Sequence, residues 1–400
     1  MNKFYAFFLL LMVSPFFVFC SNCCEQKGLT LTEEQTEFVE KGNHFAFEFL
    51  KKVNQETAGE YMVSPLSLQF LLSMVLNGAQ GTSADEILAV LGYEKGETDK
   101  INNYCALMLK QLPKVDSLTK LNIANALVVN EKYPLVKSYG KKAKSVYDAE
   151  ISQLDFTQKE EVLARVNGWC NEKSEGLIPK IMDDVEPGMM AVLMNAVYFK
   201  SSWTTPFNKK ATTESDFTSE DGSKKSVPMM QKTEQLPYWE NEDFQMVQLP
   251  YSKGSFSMTV LLPKEGEKVA DIIDELDEEN WNEWRQSCTN KKVRLALPRF
   301  ESKFHIDLNK ILSDMGMPSI FTANADLGAM FRSPAYMSVI QQDSAIKVDE
   351  EGSEAAAITS GMVRAMAARP EETIDFTANH SFLYLITENT TGTVLFVGKY

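Results

Sequence analysis

Residues able to do proton or metal chemistry are few in this chain and poorly spaced for it. Histidine occurs only at His44, His305 and His380, each inside an apolar or strand-like run where a hydrogen-bonded structural role is the ordinary one. No G-x-S-x-G turn presents a serine nucleophile, and no H-E-x-x-H pair stands at helical spacing to hold zinc. Neither glycine-rich phosphate motif is present. The acidic run "DIIDELDEEN" repeats with a helical period, which reads as a solvated face rather than a carboxylate pair. "CSNCC" has metal-like spacing but follows directly on an apolar N-terminal run. Enzymatic catalysis is therefore not expected, and no cofactor or metal is implied.

A different capability lies in "AIKVDEEGSEAAAITSGMVRAMAARPEETIDF", Ala345 to Phe376. From Ser353 to Ala365 the odd positions are Ser353, Ala355, Ala357, Thr359, Gly361, Val363 and Ala365, all small and uncharged. Both charges of that span, Glu354 and Arg364, fall on even positions. A strand sends alternate side chains to opposite faces. This segment could therefore enter the middle of a sheet and bury no charge, where an unpaired one would cost several kcal/mol. Its small side chains avoid overpacking, and Gly352 supplies backbone freedom at its start. A dozen new backbone hydrogen bonds at roughly 0.5–1.5 kcal/mol each would total on the order of 10 kcal/mol. The competing local reading is a short exposed helix, since "SEAAAI" also has good helix propensity.

The elements that would position such a segment divide by texture. "TEEQTEFVEKGNHFAFEFLKKV", with Phe38, Phe45, Phe49 and Val53 at helical spacing, predicts an amphipathic helix. "SPLSLQFLLSMVLNGAQG" predicts a buried one, with Ser64 as N-cap, Pro65 in the first turn, and Gly78 and Gly81 at its end. "TSADEILAVLGY" restarts helically with Ser83 and Glu86 spaced as a capping box. "EEVLARVNGWCNEKSEGLIPKIM" is a further helix, closed by Gly176. "MMAVLMNAVYFKSSW", "FQMVQLPYSKGSFSMTVLLPKE", "KKVRLALPRFESKFHIDL", "MSVIQQDSAIKVDEEG" and "HSFLYLITENTTGTVLFVGKY" read as strands, with a hairpin at "ENTTGTV". Helices first and strands after predict an α+β fold.

The chain has 400 residues, 44% apolar and 24% charged, and no linker composition divides it. Residues 25–400 are expected to form one domain. A net charge of −15 argues against nucleic acid, heparin-like polyanions and acidic membranes as partners. Residues 1–24 read as an export segment: Lys3 precedes an apolar run from Phe4 to Phe19. Cys20 and Cys23 are candidates for the acylated cysteine of a bacterial lipoprotein. The expected location is extracellular, periplasmic or lipid-anchored on a bacterial outer membrane. Cys105, Cys170 and Cys288 read as small core residues.

Several stretches together resemble one family, the serpins, over about Phe38 to Tyr400. They are "VSPLSLQFLLSMVLNGAQGTSADEIL", "MNAVYFKSSWTTPFNKKATTESDF", "LPRFESKFHIDLNKILSDMGM", "VDEEGSEAAAIT" and "FTANHSFLYLITENTTGTVLFVGKY". The resemblance implies three β-sheets, about nine helices and an exposed reactive-centre loop near residues 350–375. It implies suicide inhibition of serine proteases, with cysteine proteases as a second class, by a monomer. A protease cleaves the loop, which inserts as a new central strand and drags the acylated enzyme with it. Strand insertion by serpins is a known mode of release of stored strain.

By resemblance the hinge is Glu350, Glu351, Gly352, Ser353, Glu354, Ala355, Ala356 and Ala357, with Thr359, Gly361 and Val363 facing inward on insertion. The reactive bond falls between Met366 and Ala367, with Arg364–Ala365 as the alternative. Met366 suits an elastase- or chymotrypsin-like pocket. Ser64, Asn195, Trp203 and Gln342 match the region where the central strands part. Gln342 stands where a histidine is usual and Ser201 where glycine is usual. The alternative function is that of a non-inhibitory relative acting as a binding or chaperone-like protein.

Overall fold

The computed structural model describes residues 28–353 and 372–400. Among them, nine α-helices occupy Glu33–Glu56 (α1), Pro65–Leu76 (α2), Gly81–Val90 (α3), Thr98–Gln111 (α4), Lys137–Tyr147 (α5), Lys159–Lys173 (α6), Val269–Glu275 (α7), Glu278–Ser287 (α8) and Asn309–Asp314 (α9). The strands are Tyr61–Val63 (β1), Lys120–Asn130 (β2), Glu150–Leu154 (β3), Ala191–Ser202 (β4), Thr213–Thr218 (β5), Lys224–Glu240 (β6), Phe244–Tyr251 (β7) and Phe256–Pro263 (β8). They continue with Thr289–Pro298 (β9), Phe300–Asp307 (β10), Gln341–Val348 (β11), Gly352–Ser353 (β12), Thr373–Thr377 (β13), Leu383–Glu388 (β14) and Val394–Lys399 (β15).

Six strands form one sheet in the order β10-β11-β12-β4-β2-β3. The other strands follow the order β1-β15-β14-β8-β7-β6-β9-β13, with β5 paired to β6. Strand β6 pairs in succession with β5, β9 and β7. The second and third sheets expected from the resemblance are therefore continuous through this one long strand.

The six-stranded sheet is covered on both faces. Odd-numbered β4 residues Leu193, Val197 and Phe199 pack into the main core. Even-numbered Val192, Met194 and Ala196 pack with Val166, Trp169 and Cys170 of α6. A strand buried on both faces reads as a continuous apolar run, which is why "AVLMNAVYF" shows no clean alternation. Behind the sheet, all twelve residues of α2 are buried, as an all-round apolar helix requires.

Helix α2 is capped by Ser64, whose Oγ accepts from Ser67 N at 3.4 Å. It ends at Leu76, while Gly81 opens α3 rather than closing α2. The expected Ser83–Glu86 capping box does not form. Ser83 Oγ instead bonds Ser319 Oγ at 3.0 Å and accepts from Asp326 N at 3.0 Å, and Glu86 accepts from Ser319 N at 2.9 Å. Tertiary partners outcompete the local motif. Gly176, at φ +87°, does close α6, its N–H donating to Asn171 O at 2.8 Å. The acidic run splits into α7 and α8, with Asp277 capping the second. Cys105 and Cys170 are buried free thiols, and Cys288 is half-buried.

Candidate functional site

The site is built where β11 turns back into the sheet. Asp349 Oδ1 accepts from Glu351 N at 2.9 Å and from Gly352 N at 3.2 Å. Its own N–H donates to Gly352 O at 2.9 Å. A short carboxylate that bonds its own backbone two residues on makes a turn, and β12 follows it antiparallel to β11, Ser353 opposite Val348. On the other side β12 pairs with β4, Gly352 opposite Ser202 and Ser353 opposite Ser201.

Three successive carbonyls of the turn are held from outside. Asp349 O accepts from Trp203 Nε1 at 2.9 Å, Glu350 O from Phe207 N at 2.8 Å, and Glu351 O from Trp203 N at 2.8 Å. Glu350 is only 3% exposed; its carboxylate accepts from Thr212 Oγ1 at 2.8 Å and pairs with Arg299 at 3.5 Å. Burial pushes this carboxyl up. The Thr212 hydrogen bond, the backbone, and the charges of Arg299 and Lys209 outweigh that and hold it below the ordinary glutamate value. Glu351 pairs with Lys209.

Gly352 is required here. Its φ is +153°, and a Cβ would lie 2.2 Å from Ser201 O and 2.5 Å from Ser202 Cα. Ser353 is buried, its Oγ 2.7 Å from the hydroxyl of Tyr251. Directly opposed residues share a face, so Ser353 looks the same way as Ser201, into the core. Ser201 is itself buried and bonds Thr119 Oγ1 at 2.7 Å.

Below Ser353 the sheet is open. β4 and β11 both run antiparallel to β12, hence parallel to each other. Among the described residues, their facing edges below Ser201 and Val348 have no ladder partner. Gln342 lies six residues before Val348 and Asn195 six before Ser201, so the two stand level across the gap.

Each is tied to the start of α2 behind it. Gln342 Oε1 accepts from Ser64 N at 2.8 Å, and its Nε2 donates to Ser64 O at 2.9 Å. Ser67 Oγ donates to Asn195 Oδ1. Asn195 Nδ2 donates to Asn125 Oδ1 at 2.7 Å, and Asn125 Nδ2 to Tyr147 O at 2.8 Å. One polar chain thus bridges the gap without filling it.

The gap's lower end is a cavity of about 70 Å³ between β4 and Gln341 and Asp343 of β11, walled by Cys170 of α6, Met189 and Met337. Strands pair about 4.8 Å apart, so a new strand between β4 and β11 needs them about 10 Å from each other.

Of the sequence-predicted residues, Glu350, Glu351, Gly352 and Ser353 meet Trp203 at the top of the gap, and Ser64, Asn195 and Gln342 meet at its middle. Glu354 to Ala357, Thr359, Gly361, Val363, Arg364, Ala365, Met366 and Ala367 lie outside the described residues, as do Cys20 and Cys23. The three histidines each bond a different element: His44 with Glu278, His305 with Asp343, His380 with Pro263 O. Asp349, Tyr251, Arg299, Ser67 and Asn125 carry contacts that the sequence did not assign to the site, while Thr212 lies in a stretch that carries the family resemblance. Only Asp349, a turn former three residues before Gly352, carried a local signal.

An α+β fold with a six-stranded sheet opened along one seam, and a strand start lodged at the seam's top, defines the class. A family model described as Serpin (serine protease inhibitor) matches residues 40–400. The leukocyte elastase inhibitor of Xenopus tropicalis is 32% identical over 369 residues, 89% of this chain and 97% of that protein. An uncharacterised serpin-like protein of Thermococcus kodakarensis is 32% identical over 359 residues, 89% of this chain and 84% of its own. The crystal structure of a thermophilic serpin, tengpin, in the native state matches with a TM-score of 0.84 at 27% identity, covering 93% of this chain and 95% of that one. The chain belongs to the serpin family, whose relatives include inhibitors of proteases.

Proposed function

We propose that this serpin is of the inhibitory type, a suicide inhibitor that traps serine proteases covalently and not an enzyme itself. The observation that carries the reading is β12: Gly352 and Ser353 already sit between β11 and β4 in the register that an inserted strand would extend. Continued downward, that register sets Thr359 opposite both Asn195 and Gln342, since each lies six residues from the observed pair. Every odd position of the segment would then share the core face with Ser353, and Glu354 and Arg364 would turn the other way. Both facing edges gain a full ladder, contributing on the order of 10 kcal/mol.

Cleavage between Met366 and Ala367 leaves a strand long enough to cross the sheet. Cleavage at Arg364–Ala365 shortens it by two residues and favours turnover of the loop as substrate. Elastase- and chymotrypsin-like enzymes are the expected targets. Export through residues 1–24, with Cys20 or Cys23 lipidated, would place the inhibitor outside the cytoplasm of a bacterial cell, as a monomer.

The test is incubation with elastase-, chymotrypsin- and trypsin-like proteases, read by denaturing gel and by mass spectrometry of the released C-terminal fragment. A boiling-resistant serpin–protease complex, with a fragment starting at Ala367, supports the reading. Complete cleavage with every enzyme and no complex would leave the non-inhibitory alternative.

A further inference from the structure

Tyr251, the last residue of β7, is fully buried, and its ring lies on Trp203 with centroids 4.4 Å apart and planes 11° from parallel. Phe199 meets it edge-on at 5.1 Å. A buried phenol usually has a hydrogen-bond partner. Among the described residues this one has a single partner, Ser353 Oγ at 2.7 Å. That partner belongs to the hinge and not to the permanent sheet. The remaining hinge contacts through Asp349, Glu350 and Glu351 fix the turn before β12, and Gly352 has no side chain. Ser353 with Tyr251 is thus the side-chain contact that seats β12 itself.

We propose that Tyr251 is a positioning residue for loop insertion: its hydroxyl holds Ser353 in the mouth of the gap, so the new strand is already started when the loop is cut. The proposal rests on the inhibitory reading. Trapping is a race between insertion and hydrolysis of the acyl-enzyme. A hinge seated in only a fraction of molecules inserts more slowly by that fraction. Tyr251→Phe keeps the ring stack, deletes the hydroxyl and leaves Ser353 Oγ buried without a partner. Seating then weakens about tenfold, and more encounters end as released protease and cleaved serpin.

The experiment has two arms. In the uncut protein, amide hydrogen exchange is followed at Trp203, whose N–H donates to Glu351 O, and at Gly352 and Ser353. Expected is about tenfold faster exchange at these amides in Tyr251→Phe and Ser353→Ala. The double variant should exchange no faster than either single, and Ser353→Thr, which keeps a hydroxyl, should stay protected. In the second arm the stoichiometry of inhibition rises severalfold in Tyr251→Phe and Ser353→Ala, and returns toward the parent value in Ser353→Thr.

Unchanged exchange in Tyr251→Phe, or additive loss in the double variant, overturns the proposal. So does faster exchange with unchanged stoichiometry. If Tyr251→Phe exchanges rapidly throughout and has not folded, Ser353→Ala and Ser353→Thr decide. A parent protein that forms no complex with any protease would defeat the inhibitory reading, while the exchange arm would still report on the Tyr251–Ser353 contact.

Discussion

Gly352 has no room for a side chain, because the backbone of Ser201 and Ser202 occupies the space where a Cβ would go. Gly352→Ala is therefore expected to expel β12 from the gap. Complex formation on a denaturing gel should fall below detection while the loop is still cleaved and the parent fold keeps its melting cooperativity. Undiminished complex would mean that the hinge enters elsewhere. Gln342 makes a different point. It spans Ser64 with one donor and one acceptor, and an amide holds both roles at any pH. Inhibition rates are expected to be flat from about pH 6 to 8 in the parent as far as this contact governs them. Gln342→His should introduce a pH dependence, since a protonated imidazole has no acceptor for Ser64 N–H. A stopped-flow rate profile for both proteins checks this.

At the scale of elements, the turn from β11 to β12 is held by Glu350 as much as by backbone. Its carboxyl lies below the ordinary glutamate value. Such a group stabilises the seated hinge above the usual carboxyl range, and the contribution is lost as pH falls through the lowered value. Hinge protection measured by amide exchange should therefore be constant near neutrality and collapse only below about pH 4. Loss nearer pH 6 would point to a histidine instead.

The odd/even pattern was legible in the sequence because it is local, but apart from Ser353 the residues that carry it lie outside the described residues. The bridge across the gap was not legible, because Ser64 and Gln342 are 278 residues apart, and only resemblance placed them together. Strand β2 gave no signal because Asn122 and Asn125 look like strand breakers. Asn125 is in fact satisfied by Tyr147 O and Asn195, partners set by the fold. Strand β6 contains Pro228 and Pro237, which demote any local reading of it as a strand. Ser83 and Glu86 failed in the opposite sense, since a good local motif was claimed by residues 319–326.

Across the whole molecule, the seam between β4 and β11 is a place where, among the described residues, two strands forgo ladder partners below Ser353. Neighbouring packing does not relieve this, because both faces of the sheet are already covered by α2 and α6. On the proposed inhibitory reading, the difference between the open and the filled sheet drives the protease from one end of the domain to the other. Its size follows from about a dozen hydrogen bonds, on the order of 10 kcal/mol. In a chain of this length each kcal/mol moves the midpoint by roughly 2 °C. Cutting the loop once and comparing the melting temperatures of intact and nicked protein measures that difference directly. The expected result is a rise on the order of 20 °C; a nicked protein that melts at or below the temperature of the intact one would contradict the claim that the open sheet is waiting for its strand.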